Sequence, residues 1–191
     1  KIVPFTNLLS LKKNGSTVTL TVLRKSKKID PVITLTPKKY LIPILDYQIK
    51  PSYYALVGIV FIPMSLMAYL EKINETDPDN YDSVAHLTGL LDQKMKQPDE
   101  QIIFVTQVFV TDLIEDFPEN SPVLKSINDI DIINLKHLYK VVQAELGKSK
   151  YIKIEFQNTH QVVVLSCKEI LKNQNKILQN NLGLVRDYVG S

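Results

Sequence analysis

The sequence predicts an α+β fold built on antiparallel strands. Short runs that are rich in β-branched residues and alternate in polarity, such as residues 17–23, occur towards both ends of the chain and have the period of half-buried strands. Stretches with the helical spacing of apolar residues lie between them, most clearly in residues 134–146. Apolar residues make up 45% of the 191 residues, which favours a folded chain of one medium-sized domain or two unequal ones.

The charge and cysteine content exclude several classes of protein. Lys and Arg number 23 against 20 Asp and Glu, so the net charge is only +3. Because Arg24 and Arg186 are the only arginines, side chains suited to bidentate contacts with phosphates or bases are scarce, and no nucleic acid partner is predicted. The single cysteine, Cys167, cannot form an intrachain disulfide, so no disulfide is expected and the compartment is expected to be cytoplasmic or organellar.

The N-terminal part of the chain is predicted to form a helix followed by two strands. The helix covers residues 6–13, and Gly15 lies after it as a C-terminal stop. The strands cover residues 17–23 and 29–36, with a charged turn at residues 24–28 between them.

A stretch without charge at residues 51–70 raises the question of a membrane-spanning helix. Pro51, Gly58 and Pro63 divide the stretch into short apolar pieces, so no membrane span is predicted. We expect instead a buried strand at residues 55–62, a turn at Pro63, and then two amphipathic helices.

Local patterns predict the remaining elements. They are a strand at 101–112, a strand at 123–133 interrupted by a tight turn at Asn128-Asp129, a helix from Asn134 to about residue 146 that Gly147 ends, and strands at 151–156 and 161–165. Ser166 and Glu169 form the capping box of a last helix.

A partial repeat relates the two ends of the chain. In both places an apolar helix and a glycine precede two strands joined by a charged turn, and Val18 aligns with Ile152 as Ile33 aligns with Val163. We therefore expect two related domains, of which the first lacks its front half in this chain.

Two groups of residues carry a resemblance to a known family. The order of elements around Asn128-Asp129, Ile130-Asp131-Ile132 and Asn134-Leu135 resembles the second half of a PDZ domain. The run Lys50-Pro51-Ser52-Tyr53-Tyr54 through Val60-Phe61-Ile62-Pro63 resembles the opening of the second PDZ domain in eukaryotic Deg/HtrA-type (DegP-like) serine proteases. The resemblance implies a PDZ-like, partly open antiparallel β-barrel or sandwich with flanking helices.

The resemblance also implies a domain organisation. Residues 1–45 are expected to be the C-terminal part of a first PDZ domain. Residues 46–166 are expected to be a second PDZ domain with a helical insertion at residues 65–99, and residues 167–191 a C-terminal helical tail.

A peptide-binding site follows from the same resemblance. Leu56-Val57-Gly58-Ile59 stands where PDZ domains carry their carboxylate-binding loop, and a glycine there lets backbone N–H groups converge on an anion. An incoming segment is expected to add as a strand beside residues 59–62 and to lie against the helix that follows Asn134. The predicted site residues are Leu56, Val57, Gly58, Ile59, Val60, Phe61, Ile62, Leu135, Leu138, Tyr139 and Val142.

Neither catalysis nor metal binding is predicted for this chain. A serine protease needs a nucleophilic serine with a histidine and a carboxylate, but His86, His137 and His160 have no Gly-flanked Ser to serve. The histidines and Cys167 are too widely spaced for a zinc site, and no cofactor is expected. The resemblance places the catalytic domain upstream, in a parent serine endopeptidase.

The predicted function is that of a non-catalytic PDZ region of a Deg/HtrA-type serine endoprotease, which binds peptides and helps to assemble or regulate the oligomer. Its partner would be a peptide, a protein segment or another subunit, in a homo-oligomer of the full-length enzyme. A stand-alone PDZ adaptor or scaffold without a protease domain is an alternative, and a membrane-associated module that uses residues 51–70 is a third.

The last helix offers a candidate subunit interface. Its apolar stripe predicts a buried face without naming what covers it, so an interface with another subunit and packing in its own domain are equal alternatives. The stripe consists of Ile170, Leu171, Ile177 and Leu178.

Overall fold

The chain forms two units that divide between Lys39 and Tyr40. The computed structural model describes residues 4–36, 40–43, 52–75, 79, 81–91, 93–109, 113–114, 117, 123–157, 162–177 and 179. The first unit contains one helix and four short strands, and the second contains all later elements.

The first unit consists of α1 (Phe5–Ser10), β1 (Thr17–Thr19), β2 (Val22–Arg24), β3 (Lys27–Ile29) and β4 (Val32–Thr34). β1 pairs with β4 and β2 pairs with β3, both antiparallel. Lys25 and Ser26 form a two-residue turn with φ of 51° and 59°. Each of the two long strands predicted for this region is therefore divided into two short ones.

The interruption of the predicted strands has a local cause. Thr21 lies between β1 and β2, and its hydroxyl donates a hydrogen bond to Oδ1 of Asp30 at 2.6 Å. Pro31, between β3 and β4, has no N–H with which to continue a ladder. None of the side chains described between residues 4 and 36 is buried, and Leu23 is 77% exposed. The described part of the first unit therefore has no core of its own.

The second unit combines two sheets with four helices among the residues described. Its elements are β5 (Tyr54–Leu56), β6 (Ile59–Pro63), α2 (Leu66–Glu75), α3 (Tyr81–Leu91), β7 (Ile103–Val108), β8 (Leu124–Ile127), β9 (Ile130–Asp131), α4 (Leu135–Lys148), β10 (Tyr151–Phe156), β11 (Val162–Ser166) and α5 (Cys167–Ile177). The sheets are open and antiparallel, with strand orders β5-β6-β7 and β11-β10-β8-β9. This arrangement confirms the predicted α+β class.

The main core of the second unit is formed by residues of both sheets, α4 and α5. Alternate residues of β10 are buried, so Ile152 and Ile154 lie in this core while Tyr151 is exposed. Strand β10 has the bounds that the sequence predicts, because its alternation is uninterrupted.

Helix α4 begins as the sequence predicts and ends slightly later. Asn134 is the N-cap, and its side-chain Oδ1 accepts a hydrogen bond from the His137 N–H at 2.7 Å. The helix continues through Gly147, which was predicted to end it, and stops after Lys148. A helical glycine is unfavourable by about 1 kcal/mol relative to alanine. This is too little to end a helix that buries one face in the core, opposite the exposed Gly147.

A carboxylate near the end of α4 connects the helix to the turn between β8 and β9. Glu145 accepts hydrogen bonds from Asn128 Nδ2 and Ser149 Oγ, both at 2.6 Å, and pairs with Lys148 Nζ at 2.6 Å. Hydrogen bonds from Lys148, Ser149 and Asn128 lower the pKa of Glu145 to about 2. Asn128 Oδ1 also accepts a hydrogen bond from the Lys153 N–H at 2.7 Å. The predicted Asn128-Asp129 turn is present, with φ of 46° and 65°. The side chain of Asn128 connects it to α4 and to β10.

Helices α2 and α3 occupy the region of the predicted insertion after β6. They pack over a second group of buried side chains that includes Met64, Tyr69 and Leu87. Strand β7 separates the two cores, because Phe104 belongs to this second group and Val105 to the main core. The insertion therefore covers the face of the β5-β6-β7 sheet that lies opposite α4. Across the described residues, no helix has the length and apolar character needed to cross a membrane.

Candidate peptide-binding site

The segment predicted as one buried strand at residues 55–62 is a hairpin. β5 and β6 pair antiparallel with Leu56 opposite Ile59, which leaves Val57 and Gly58 as a two-residue turn. Their φ values are 41° and 106°. The sequence signal for a turn was weak, because such turns favour Asn or Asp at the first position rather than a buried, β-branched Val57. Positive φ is strained for a β-branched residue, by roughly 1–3 kcal/mol.

The hairpin changes where a further strand can add. β6 pairs with β5 on one edge and with β7 on the other, so Ile59, Val60 and Phe61 are paired on both sides. Of the residues 59–62 beside which a peptide was expected to add, the first three therefore have no unpaired strand edge to offer. The physical reason is the short turn, which folds β5 back onto the edge of β6 that was expected to be open.

The outer edge of β5 binds a side-chain amide of α5. Because Leu56 and Ile59 close the hairpin, the C=O of Ala55 and the N–H of Val57 point away from β6. The Val57 N–H donates a hydrogen bond to Oε1 of Gln174 at 2.6 Å. Nε2 of Gln174 donates to the C=O of Ala55 at 2.5 Å. One carboxamide thus satisfies a backbone donor and a backbone acceptor of the predicted loop.

The predicted site residues on α4 lie mostly inside the protein. Leu135, Leu138 and Val142 are each at most 1% exposed, whereas Tyr139 is 36% exposed. The ring of Tyr54 fills the space between β5 and α4, with its centroid 5.6 Å from that of Tyr139 in an edge-to-face arrangement. Of these four predicted site residues, Tyr139 is the one that reaches the surface.

The predicted loop and strand residues are also largely buried. Leu56, Val57, Ile59 and Phe61 belong to the main core, and Val60 faces the opposite side of the sheet. Residues of the predicted loop and of α4 belong to the same core and pack together there.

The stripe on α5 divides between the local core and the surface. Ile170 is 1% exposed and Ile177 is partly buried against the main core, so these two pack within their own domain. Leu171 is 65% exposed, and Leu178 lies outside the described residues. For Ile170 and Ile177 the structure therefore shows one of the two alternatives that the sequence left open, which is packing within their own domain. Helical periodicity identified a buried face correctly but could not tell which surface covers it.

Gln174 was not among the predicted site residues. A signal was nevertheless present, because positions 170, 174 and 177 share one face of a helix, which puts a polar residue on the apolar stripe. Its partners are 117 and 119 residues away in sequence, so no local pattern identifies them.

Two of the three histidines and Cys167 lie within the described part of the chain. Nε2 of His86 is buried without a hydrogen-bond partner there, and desolvation lowers the pKa of this histidine. His137 Nδ1 accepts a hydrogen bond from the Ile133 N–H at 3.3 Å, and His160 lies outside the described residues. Cys167 is a free, buried thiol whose pKa is raised, first by desolvation and then by Glu145. Among the residues described, no three His, Cys, Asp or Glu side chains are grouped to hold a metal ion.

Comparison with known proteins gives the family. Residues 42–182 match the family model for the PDZ domain. The mitochondrial Do-like 3 protein of Arabidopsis thaliana is 28% identical over 184 residues, which cover 93% of this chain and 29% of the relative. The plant's mitochondrial protease Do-like 4 is 28% identical over 177 residues, covering 93% of this chain and 30% of the relative. Its chloroplastic protease Do-like 2 is 26% identical over 164 residues, with coverages of 85% and 26%.

The chain spans less than a third of the length of these relatives. The family model covers most of the chain and coincides with the second unit, which has the open antiparallel sheets and flanking helices expected of the fold. The chain therefore belongs to the PDZ domain family, and Do-like proteases are among its sequence relatives.

Proposed function

We propose that this chain is a non-catalytic PDZ region of a Deg/HtrA-type serine endoprotease and that it binds an extended segment of protein. One observation carries the proposal: the C=O of Ala55 and the N–H of Val57 are both bound by an amide from another part of the chain. Backbone groups that accept an amide in this way are those that a strand-adding peptide uses. Most residues of the predicted site are buried in the protein core, and Tyr139 is exposed beside Tyr54 of β5.

The proposed domain organisation is the one that the resemblance to Deg/HtrA-type proteases implies. Residues 1–45 would complete a first PDZ domain, residues 46–166 form the second, and residues 167–191 the tail. Exposed apolar side chains in the first unit, such as Leu23 and Val32, support this proposal, because a complete domain would bury them. Relatives named as mitochondrial or chloroplastic support an organellar location.

Assembly of the parent oligomer is the second part of the proposal. A segment of a neighbouring subunit has the same backbone groups as a free peptide, so the same edge can serve in assembly. Among the described residues of the predicted interface stripe, Leu171 is exposed and can contact another subunit. Light scattering on the full chain and on Leu171→Asp tests this part. A smaller mass for the variant supports it, and two identical monomeric masses contradict it.

Peptide binding is tested with a fluorescein-labelled peptide of alternating valine and threonine, measured by fluorescence anisotropy up to roughly millimolar concentration, where even weak interactions are detected. Gly58→Ala strains the loop because φ is 106°, whereas Gly89→Ala, at a helical site with open space around it, serves as the matched control. We expect the wild type and the control to bind, and Gly58→Ala to bind more weakly. Equal binding by all three folded proteins contradicts the role of this loop.

A further inference from the structure

Strand β11 forms one end of the four-stranded sheet. It pairs with β10 over five residues without a shift in register, and no described strand lies on its other side. Val162 and Val164, which alternate with the buried Val163, are 43% and 58% exposed. Solvent therefore reaches this end of the sheet.

The ladder between β10 and β11 uses only alternate backbone groups of β11. The Cys167 N–H donates a hydrogen bond to the Lys150 C=O at 3.1 Å, so these two residues are a hydrogen-bonded pair of the antiparallel ladder. Such pairs recur at every second position, and Val163 therefore directs its N–H and C=O towards β10. The N–H and C=O groups of Val162 and Val164 point the opposite way, out from the edge of the sheet.

Strand β11 lacks the features that protect strand edges against pairing with another chain. Natural edges are very short, or carry charges, prolines or bulges. The sequence of β11 is VVVLS, without a charge or a proline, and its ladder with β10 contains no bulge. At the other end of the same sheet, β9 has only two residues, one of which is Asp131. The β11 edge is therefore the end of this sheet that is suited to strand pairing.

A second copy of the chain fits the β11 edge better than a free peptide does. The ladder with β10 already holds β11 extended, whereas a free peptide loses conformational entropy at each residue that it orders. A neutral strand also brings no like charges together when it pairs with its own copy. Lys153 lies opposite Val164 on β10 and pairs with Asp129 and Glu155. It would lie three strand spacings from its copy, roughly 14 Å, beyond the Debye length of about 8 Å.

We propose that the β11 edge binds β11 of a second copy of this chain, antiparallel and around a twofold axis, so that two sheets join into one. Val164 is the middle residue of β11 and has its backbone groups on the open edge, so it lies opposite Val164 of the second copy. In that register, Val162 lies opposite Ser166 of the second copy. The inference goes beyond the proposed function, because this surface contains neither the β5 edge nor Leu171.

Charged residues at position 164 test the pairing in the full chain. Sedimentation equilibrium from roughly 10 μM to 1 mM detects even a weak dimer. Val164→Lys and Val164→Glu each place two like charges directly opposite each other in the dimer. Val164→Glu also faces Lys153 of its own β10, which keeps the test valid if the lysine variant does not fold. Val162→Lys, an exposed position on the same strand that would face Ser166, is the matched control.

We expect the wild type and Val162→Lys to dimerise with equal affinity. Each Val164 variant alone should dimerise about tenfold more weakly, because like charges directly opposite each other repel. An equal mixture of Val164→Lys and Val164→Glu should dimerise more tightly than either variant alone, because opposite charges then meet. A merely structural role of Val164 would not give this recovery.

Disulfide formation tests the register. In the proposed dimer, the Cα atoms of Val164 and its copy are about 5.5 Å apart, which a disulfide can span. Those of Val162 and its copy are roughly 14 Å apart, which is too far. Mild oxidation should therefore give a covalent dimer of Val164→Cys but not of Val162→Cys. The wild type, whose single thiol is the buried Cys167, should also remain uncrosslinked.

Four results contradict the inference in different ways. A wild type that stays monomeric to 1 mM overturns it, and if such a monomer loses its binding of the valine–threonine peptide on Val164→Lys, the edge belongs to a peptide. A dimer that both Val164 variants leave unchanged and Leu171→Asp abolishes assigns assembly to α5, in support of the proposed function. Cross-linking of Val162→Cys in place of Val164→Cys overturns the register. Equal weakening by Val162→Lys and Val164→Lys, without recovery in the mixture, overturns the direct pairing of the strands.

Discussion

The turn at Val57-Gly58 makes the sharpest prediction about stability, because two glycines of the same unit should respond to alanine with opposite signs. Gly58 has φ of 106°, a conformation that alanine adopts only with strain, at a cost of roughly 1–3 kcal/mol. The lower entropy of the unfolded alanine chain offsets roughly 0.4–1 kcal/mol of this. Gly58→Ala should therefore lower the free energy of unfolding by about 1–2 kcal/mol.

Gly89 provides the matched comparison. It lies in α3, and an added Cβ meets no heavy atom within 4 Å. Alanine is favoured over glycine in a helix by about 1 kcal/mol, so Gly89→Ala should raise the free energy of unfolding. Urea unfolding followed by far-UV circular dichroism measures both variants against the wild type. A Gly58→Ala variant as stable as Gly89→Ala would refute the two-residue hairpin.

Three further predictions concern α5 and the ionised groups. Ile170→Ala should destabilise the second unit by about 2–5 kcal/mol in urea unfolding, and Leu171→Ala by less than about 0.5 kcal/mol; similar values would contradict the local packing of Ile170. Glu145→Ala should lower the free energy of unfolding by about 1–3 kcal/mol, because Asn128 and Ser149 lose their acceptor, and a neutral result would contradict that network. The folded pKa values of Glu145 and Glu155, about 2, lie below the usual glutamate pKa of 4.5. Their contribution to stability should therefore be complete above pH 4.5 and lost as the pH falls towards 2, and acid titration of Glu145→Gln should show a smaller loss than the wild type.

Local sequence patterns predicted much of the second unit. Strand β10 has its predicted bounds, Asn134 caps α4, and Asn128-Asp129 forms the predicted turn. In each case the signal is carried by a few neighbouring residues, such as an N-cap side chain or an alternation of period two.

The site could be predicted only in outline. A two-residue turn lies within the segment predicted as the carboxylate-binding loop, but the hairpin was missed because its turn contains no polar residue that marks a reversal of the chain. The contact of Gln174 with Ala55 and Val57 depends on how α5 docks after all the strands have formed. Such a contact depends on the packing of segments that are far apart in sequence. No local pattern of residues predicts it.

The central claim is that a peptide binds at the outer edge of β5, where Gln174 now lies. Amide chemical shifts, recorded while the valine–threonine peptide is added to the Gln174→Ala chain, test it most directly. The account predicts that the largest shift occurs at the Val57 amide, with smaller changes at Ile62 of β6. Changes centred on Ile62, with the Val57 amide unaffected, would contradict it.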